Sequence, residues 1–161
     1  MKHSRISIIS LIGSLFMLWT MSAAANPGNY VEPKITHEQY GEVKIVVPVT
    51  TDDKAVHGMK LRNLENSLGV FAKWGGKMQG TVVLYGKGVT LLKNPDAETR
   101  LKIDALKARG IRFVVCNNTL IEQDIDYHQL YSVTEHDIVP SGFAEVAYLQ
   151  ARKNYAVDPV N

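Results

Sequence analysis

Apolar residues along this chain alternate between two spacings. Val43, Ile45, Val46, Val47 and Val49 form a β-branched run with too little alternation for a strand that faces water on one side. Thr81 to Tyr85 reads as a second β-branched strand, Ile111 to Cys116 as a third buried one, and Asp137-Ile138-Val139-Pro140 as a last short one. Between them the period becomes helical. Val56, Met59, Leu64, Leu68, Phe71 and Ala72 recur up to Trp74, after capping residues Thr50-Thr51-Asp52-Asp53 and before Gly75-Gly76. A second helix is expected from Asn94-Pro95, with Leu101, Ala105 and Ala108 as its apolar line and Gly110 as its stop. Thr119 with Glu122 suggests a capping box for a short helical turn, and Ser141 caps a closing helix through Val146, Leu149 and Gln150. Asp126 to Glu135 reads as a short helix and a loop.

Strands alternating with helices predict an α/β fold, a mostly parallel sheet of about four to five strands with helices on both faces. A length of 161 residues suits one such domain. We place it at residues 42–157, after an arm at 26–41 that holds two prolines and two glycines and is expected to dock through Tyr30 and Tyr40. No internal repeat or low-complexity tract appears.

The first segment changes the charge picture. Lys2 and Arg5 precede an apolar run from Ile6 to Met21, and Ser22-Ala23-Ala24-Ala25 offers small residues before a cut after Ala25. That is the pattern of a cleaved signal peptide over residues 1–25; the run is short and interrupted for a membrane anchor. The expected home is the periplasm, or the exterior after secretion. Removing this segment takes two of the 18 basic residues and none of the 16 acidic ones, which leaves a formal net charge of zero. A nucleic-acid or anionic-membrane binder would need a basic excess, so neither partner is expected.

Parallel strands bring their carboxyl ends to one edge, where ligands bind in open α/β sheets. Four segments should meet there: Thr50-Thr51-Asp52, Tyr85-Gly86-Lys87-Gly88, Cys116-Asn117-Asn118 and Pro140-Ser141-Gly142. The single cysteine excludes an internal disulfide, a CxxC pair and a cysteine-rich zinc site within one chain. Cys116 is the candidate nucleophile. The amides of the following helix start would stabilise its thiolate, and Lys87 would add a positive charge if it turns inward. The alternative is a small buried residue that fills the strand end, because free cysteine also packs as a hydrophobe. Gly86-Lys87-Gly88 reads either as an anion-binding loop or as a plain turn. Thr51, Asn117, Asn118, Thr119 and Ser141 line the same edge as candidate binding residues. His37, His57, His128 and His136 show no metal-ligand spacing, so no metal and no cofactor are expected.

Together, VKIVVPV, VVLYGKGVTLL, RFVVCNNTL and VPSGFAEVAYLQ, each separated by a helix or irregular segment, resemble the DsrE/DsrF-like family of sulfur-metabolism proteins over roughly Val43 to Arg152. The resemblance implies a layered α/β fold and assembly as trimers or hexamers. It implies that Cys116 matches the strand-end cysteine that accepts sulfane sulfur as a persulfide in relay members, so a sulfurtransferase or persulfide carrier, with a sulfur donor or acceptor protein as partner, is the expected activity. This chain departs from those members, which are cytoplasmic, in its export signal. The rival expectation is a non-catalytic module that holds a small anion or a partner while Cys116 only packs.

Overall fold

In the computed structural model, which describes residues 30–158, the first β-branched run forms β1 (Gly41–Val49). It is followed by α1 (Lys54–Lys73), β2 (Gly76–Leu84), α2 (Ala97–Ala108), β3 (Arg112–Cys116), α3 (Asn117–Glu122), β4 (Ile138–Val139), α4 (Gly142–Lys153) and β5 (Ala156–Val157). Residues 30–34 belong to an N-terminal unit and are exposed; every element named above lies in the second unit, which begins at Ile35. The expected signal segment, 1–25, and the first arm residues, 26–29, lie outside the described residues. Of the two arm tyrosines, Tyr40 packs against Phe71 with ring centroids 4.8 Å apart, whereas Tyr30 is 89% exposed.

The five strands form one parallel sheet in the order β4-β3-β2-β1-β5. The path follows from crossover handedness. From β1 the chain steps through β2 and β3 to β4 in one direction, and then returns to the far side of β1 as β5. A right-handed crossover must change face when its direction reverses. Accordingly α1 and α2 cover one face, where Leu61, Leu64, Leu68, Ile103 and Leu106 pack with Val47, Val49, Val82, Leu84, Phe113 and Val115. On the other face Leu149 of α4 packs with Val46, Val83 and Val114, and Val146 joins them half-buried. Successive residues of β1, β2 and β3 thus serve opposite faces, which is why these strands are apolar at both parities. Each fully buried Val or Leu contributes about 1.5–3 kcal/mol.

Local chemistry sets the helix ends. Of the four capping residues Asp53 is the one that caps α1, its carboxylate accepting from the amides of Ala55 at 2.7 Å and Val56 at 3.4 Å. Gly75, at φ +74°, takes the left-handed turn that releases the chain into β2. Pro95 does not stand in the first turn of α2. Asp96 is the cap, accepting from the Thr99 amide at 2.8 Å, and Pro95 precedes it.

Two packing choices differ from the sequence expectation. The buried face of α2 is Ile103 and Leu106, while Leu101 is 71% exposed. Both lines have helical spacing, but only the bulkier one fills the layer against the sheet. The α1 stripe also carries His57 and Lys60 into the interior. Lys60 is balanced by Asp158 at 3.0 Å, just beyond β5, whose amide donates to the Val46 carbonyl at 2.8 Å. This ion pair ties the last, two-residue strand to the first helix.

Three stability measurements follow. Val114→Asp should lower unfolding free energy by more than about 4 kcal/mol, because it strands a carboxylate in a strand covered on both faces. Leu101→Asp on the open face of α2 should stay within about 0.5 kcal/mol of wild type. Asp158→Ala should cost about 3 kcal/mol by leaving the Lys60 ammonium buried without its partner, a loss that denaturant melts would reveal.

Candidate functional site

The carboxyl ends of β1, β2, β3 and β4 lie along one edge, as parallel strands require. β3 passes into α3 without a connecting residue. Cys116 has extended backbone angles, φ −72° and ψ 118°, and is itself the residue that caps α3. The helix begins at Asn117, so Thr119 lies inside the first turn and does not form the expected capping box with Glu122. A cysteine has no carboxylate or hydroxyl to satisfy the orphan amides of a helix start. Cys116 holds the cap position with no side-chain cap hydrogen bond of its own.

Four donors converge on the sulfur. They are the Thr119 hydroxyl, the amides of Thr119 and Asn118 in α3, and the amide of Gly142, the first residue of α4. The Thr119 hydroxyl oxygen already accepts from the Gly86 amide at 2.9 Å, which leaves its proton free to point at the sulfur. The thiol is only 5% exposed. Burial pushes its pKa up, but the hydrogen bonds from Thr119, Gly142 and Asn118 outweigh burial, and the net shift is downward from the ordinary thiol value. Tyr85 follows β2 on the parity of Val83 and faces the α4 layer with Cys116. Burial and the charge of Cys116 both raise the pKa of its phenol.

The other expected residues divide into three groups. Thr119 and Gly86 belong to the sulfur's support: the Gly86 amide holds Thr119, and the Gly86 carbonyl accepts from Gln123 Nε2 at 2.9 Å. Gly88 is needed by sterics, since a Cβ there would lie 1.8 Å from the Val49 carbonyl oxygen, and its amide donates to the Tyr85 carbonyl. With the Gly86 and Gly88 amides both engaged, this loop is a tight turn over the end of β1. Thr51 and Ser141 serve backbone: Thr51 Oγ1 accepts from Asp53, and Ser141 caps α4 by accepting from Ala144. Asn117 and Asn118 expose their side chains at the mouth of α3. Lys87 is 73% exposed and lies 3.6 Å from Asp52, so its nearest charge is a surface carboxylate.

Sequence reasoning had placed Tyr85 and Gly142 on this edge without giving them a role. Their strand-end and helix-start positions were the available signal; side-chain chemistry was not, since one acts through its ring and the other through an amide. A hollow of about 430 Å³, lined by Asn117, Tyr127, Glu135, Ile138, Val139 and Pro140, opens beside the start of α3. Among the described residues no group of three or more His, Cys, Asp or Glu could hold a metal ion, and His128 contacts Asp126 at 2.7 Å.

Residues 43–157 match the model of the DsrE/DsrF-like family. The fold is similar to that of a solved protein of unknown function from Methanobacterium thermoautotrophicum, at 25% identity and a TM-score of 0.62, over 72% of this chain and 97% of that one. No curated protein matches.

The hydrogen-bonding pattern around the sulfur makes a titration prediction. The rate of Cys116 alkylation should rise with pH around a midpoint below that of a free thiol, and Thr119→Val should shift the midpoint upward. A depressed folded pKa contributes stability that is complete above the unfolded pKa and is lost as pH falls through the folded one. Wild type should therefore gain stability over Cys116→Ser as pH rises across that interval.

Proposed function

The chain belongs to the DsrE/DsrF-like family, and on that premise we propose that it handles sulfane sulfur as a persulfide on Cys116. The observation that carries this reading is the place of Cys116, nearly buried at the shared strand edge between the starts of α3 and α4, whose hydrogen bonds favour its charged form against the effect of burial. A structural cysteine needs no such hydrogen bonds.

The chemistry balances without an external oxidant. The Cys116 thiolate attacks a sulfane sulfur of an inorganic polysulfide. Its electron pair forms the new S–S bond, the donor's S–S bond breaks, and that pair departs on the shortened polysulfide. Cys116 then carries the transferred sulfur. In the second half an acceptor thiolate attacks the outer sulfur, and Cys116 leaves with the bonding pair. A thiol of lowered pKa is the better leaving group, so the same donors assist both halves. Asn117 and Asn118 stand where an arriving donor would meet the site. A homo-oligomer, trimeric or hexameric, acting after export to the periplasm or beyond it, and a donor or acceptor protein complete the proposal.

The near-complete burial of Cys116 favours a second reading, in which the module binds a small anion or a partner and the thiol only packs. Intact-mass measurement after exposure to polysulfide separates the two. The relay reading expects wild type to gain the mass of added sulfur, Cys116→Ser to gain none, and an acceptor thiol to remove it. No gain on wild type, or an equal gain on the variant, would overturn it.

A further inference from the structure

Gly142 lies where α4 meets both the sulfur and the end of β2. A Cβ built on it would come within 2.8 Å of the Cβ and Cδ1 of Tyr85 and 2.9 Å of its Cγ. These atoms are the root of the Tyr85 side chain and not its mobile tip, so they cannot swing aside without moving the strand end. Gly142 is buried, and its carbon is thus seated on Tyr85 at a distance no other residue permits. By register Cys116 pairs with Val139, three residues before Gly142, and lies one place beyond the Leu84–Val115 pair, beside Tyr85; the amide of Gly142 is among the hydrogen bonds that lower the thiol's pKa.

We propose that Gly142 and Tyr85 are a pair of positioning residues: the bare Gly142 carbon, resting on the base of the Tyr85 ring, sets how closely the first amide of α4 approaches the Cys116 sulfur. The inference rests on the sulfur-handling reading for its use and on packing alone for its geometry. The α3 donors are built into the chain beside Cys116 and need no such device. The α4 donor comes from 26 positions further along the sequence; Leu149 seats the body of the helix on the sheet, and the Gly142–Tyr85 contact sets its first residue. Displacing Tyr85 or thickening Gly142 would move that amide away and leave the thiol with the α3 donors only. Helix propensity points the other way, because alanine is the better helix former at this place.

The test uses the full chain and the pH dependence of Cys116 alkylation, a readout that requires no sulfur donor. Gly142→Ala is expected to raise the midpoint and to slow alkylation about tenfold at mildly acidic pH, the size of one lost hydrogen bond to a charged group. In a Tyr85→Gly background the same Gly142→Ala change should have little further effect, because the contact it violates is gone. A folded Gly142→Ala protein with an unmoved midpoint, or an equal shift in both backgrounds, would overturn the proposal. Should Gly142→Ala not fold, the Gly142 amide resonance of wild type takes its place. It should titrate together with Cys116 and lose that response in Cys116→Ser; an amide shift indifferent to the thiol would overturn the proposal as well. Wild type that takes up no sulfur while this coupling persists removes the relay and leaves the positioning pair. Sulfur uptake without the coupling does the reverse.

Discussion

A negative charge on sulfur, sealed from water, exists only if something other than water holds it. That constraint organises this molecule. Burial alone would keep Cys116 neutral, and the fold answers with amides and one hydroxyl drawn from two helices that start on the same strand edge. Everything else serves their arrival there. The parallel sheet brings the strand ends together, β3 runs straight into α3 so that Cys116 becomes its cap, and the reversed crossover lays α4 on the sulfur's face. The turn after β2 then orients the Thr119 hydroxyl through the Gly86 amide.

Stability and chemistry are linked through the same elements. The core halves on either side of β1, β2 and β3 are apolar, and the strand ends that carry the site emerge from that rigid layer. The buried Lys60–Asp158 pair fastens β5, and with it the end of the α4 return, to α1.

Much of the scaffold was legible in the amino-acid order because fully covered strands leave a plain mark: β-branched residues at both parities between glycines and caps. The four shared strand ends were legible for the same reason. Other features had no local mark. Two apolar lines of equal period run along α2, and which one faces inward is decided by the sheet, so Leu101 read as core and is not. β5 holds only Ala156 and Val157, too short for a pattern, and the partner of Lys60 lies 98 positions away. The start of α3 was misplaced because its cap position is held by a cysteine, which carries no signature of a capping residue. Lys87 was placed on this edge by topology, with a charge for the thiol only if it turned inward; it lies exposed, 3.6 Å from Asp52.

The central claim is that the folded chain holds Cys116 as a thiolate below the pH at which a free thiol ionises. Because the chain has a single cysteine, the difference in ultraviolet thiolate absorbance between wild type and Cys116→Ser, followed across pH, reports that one group. The account predicts a titration midpoint below the free-thiol value, moving up to that value when the protein is unfolded. A folded-state midpoint at or above the free-thiol value would contradict it.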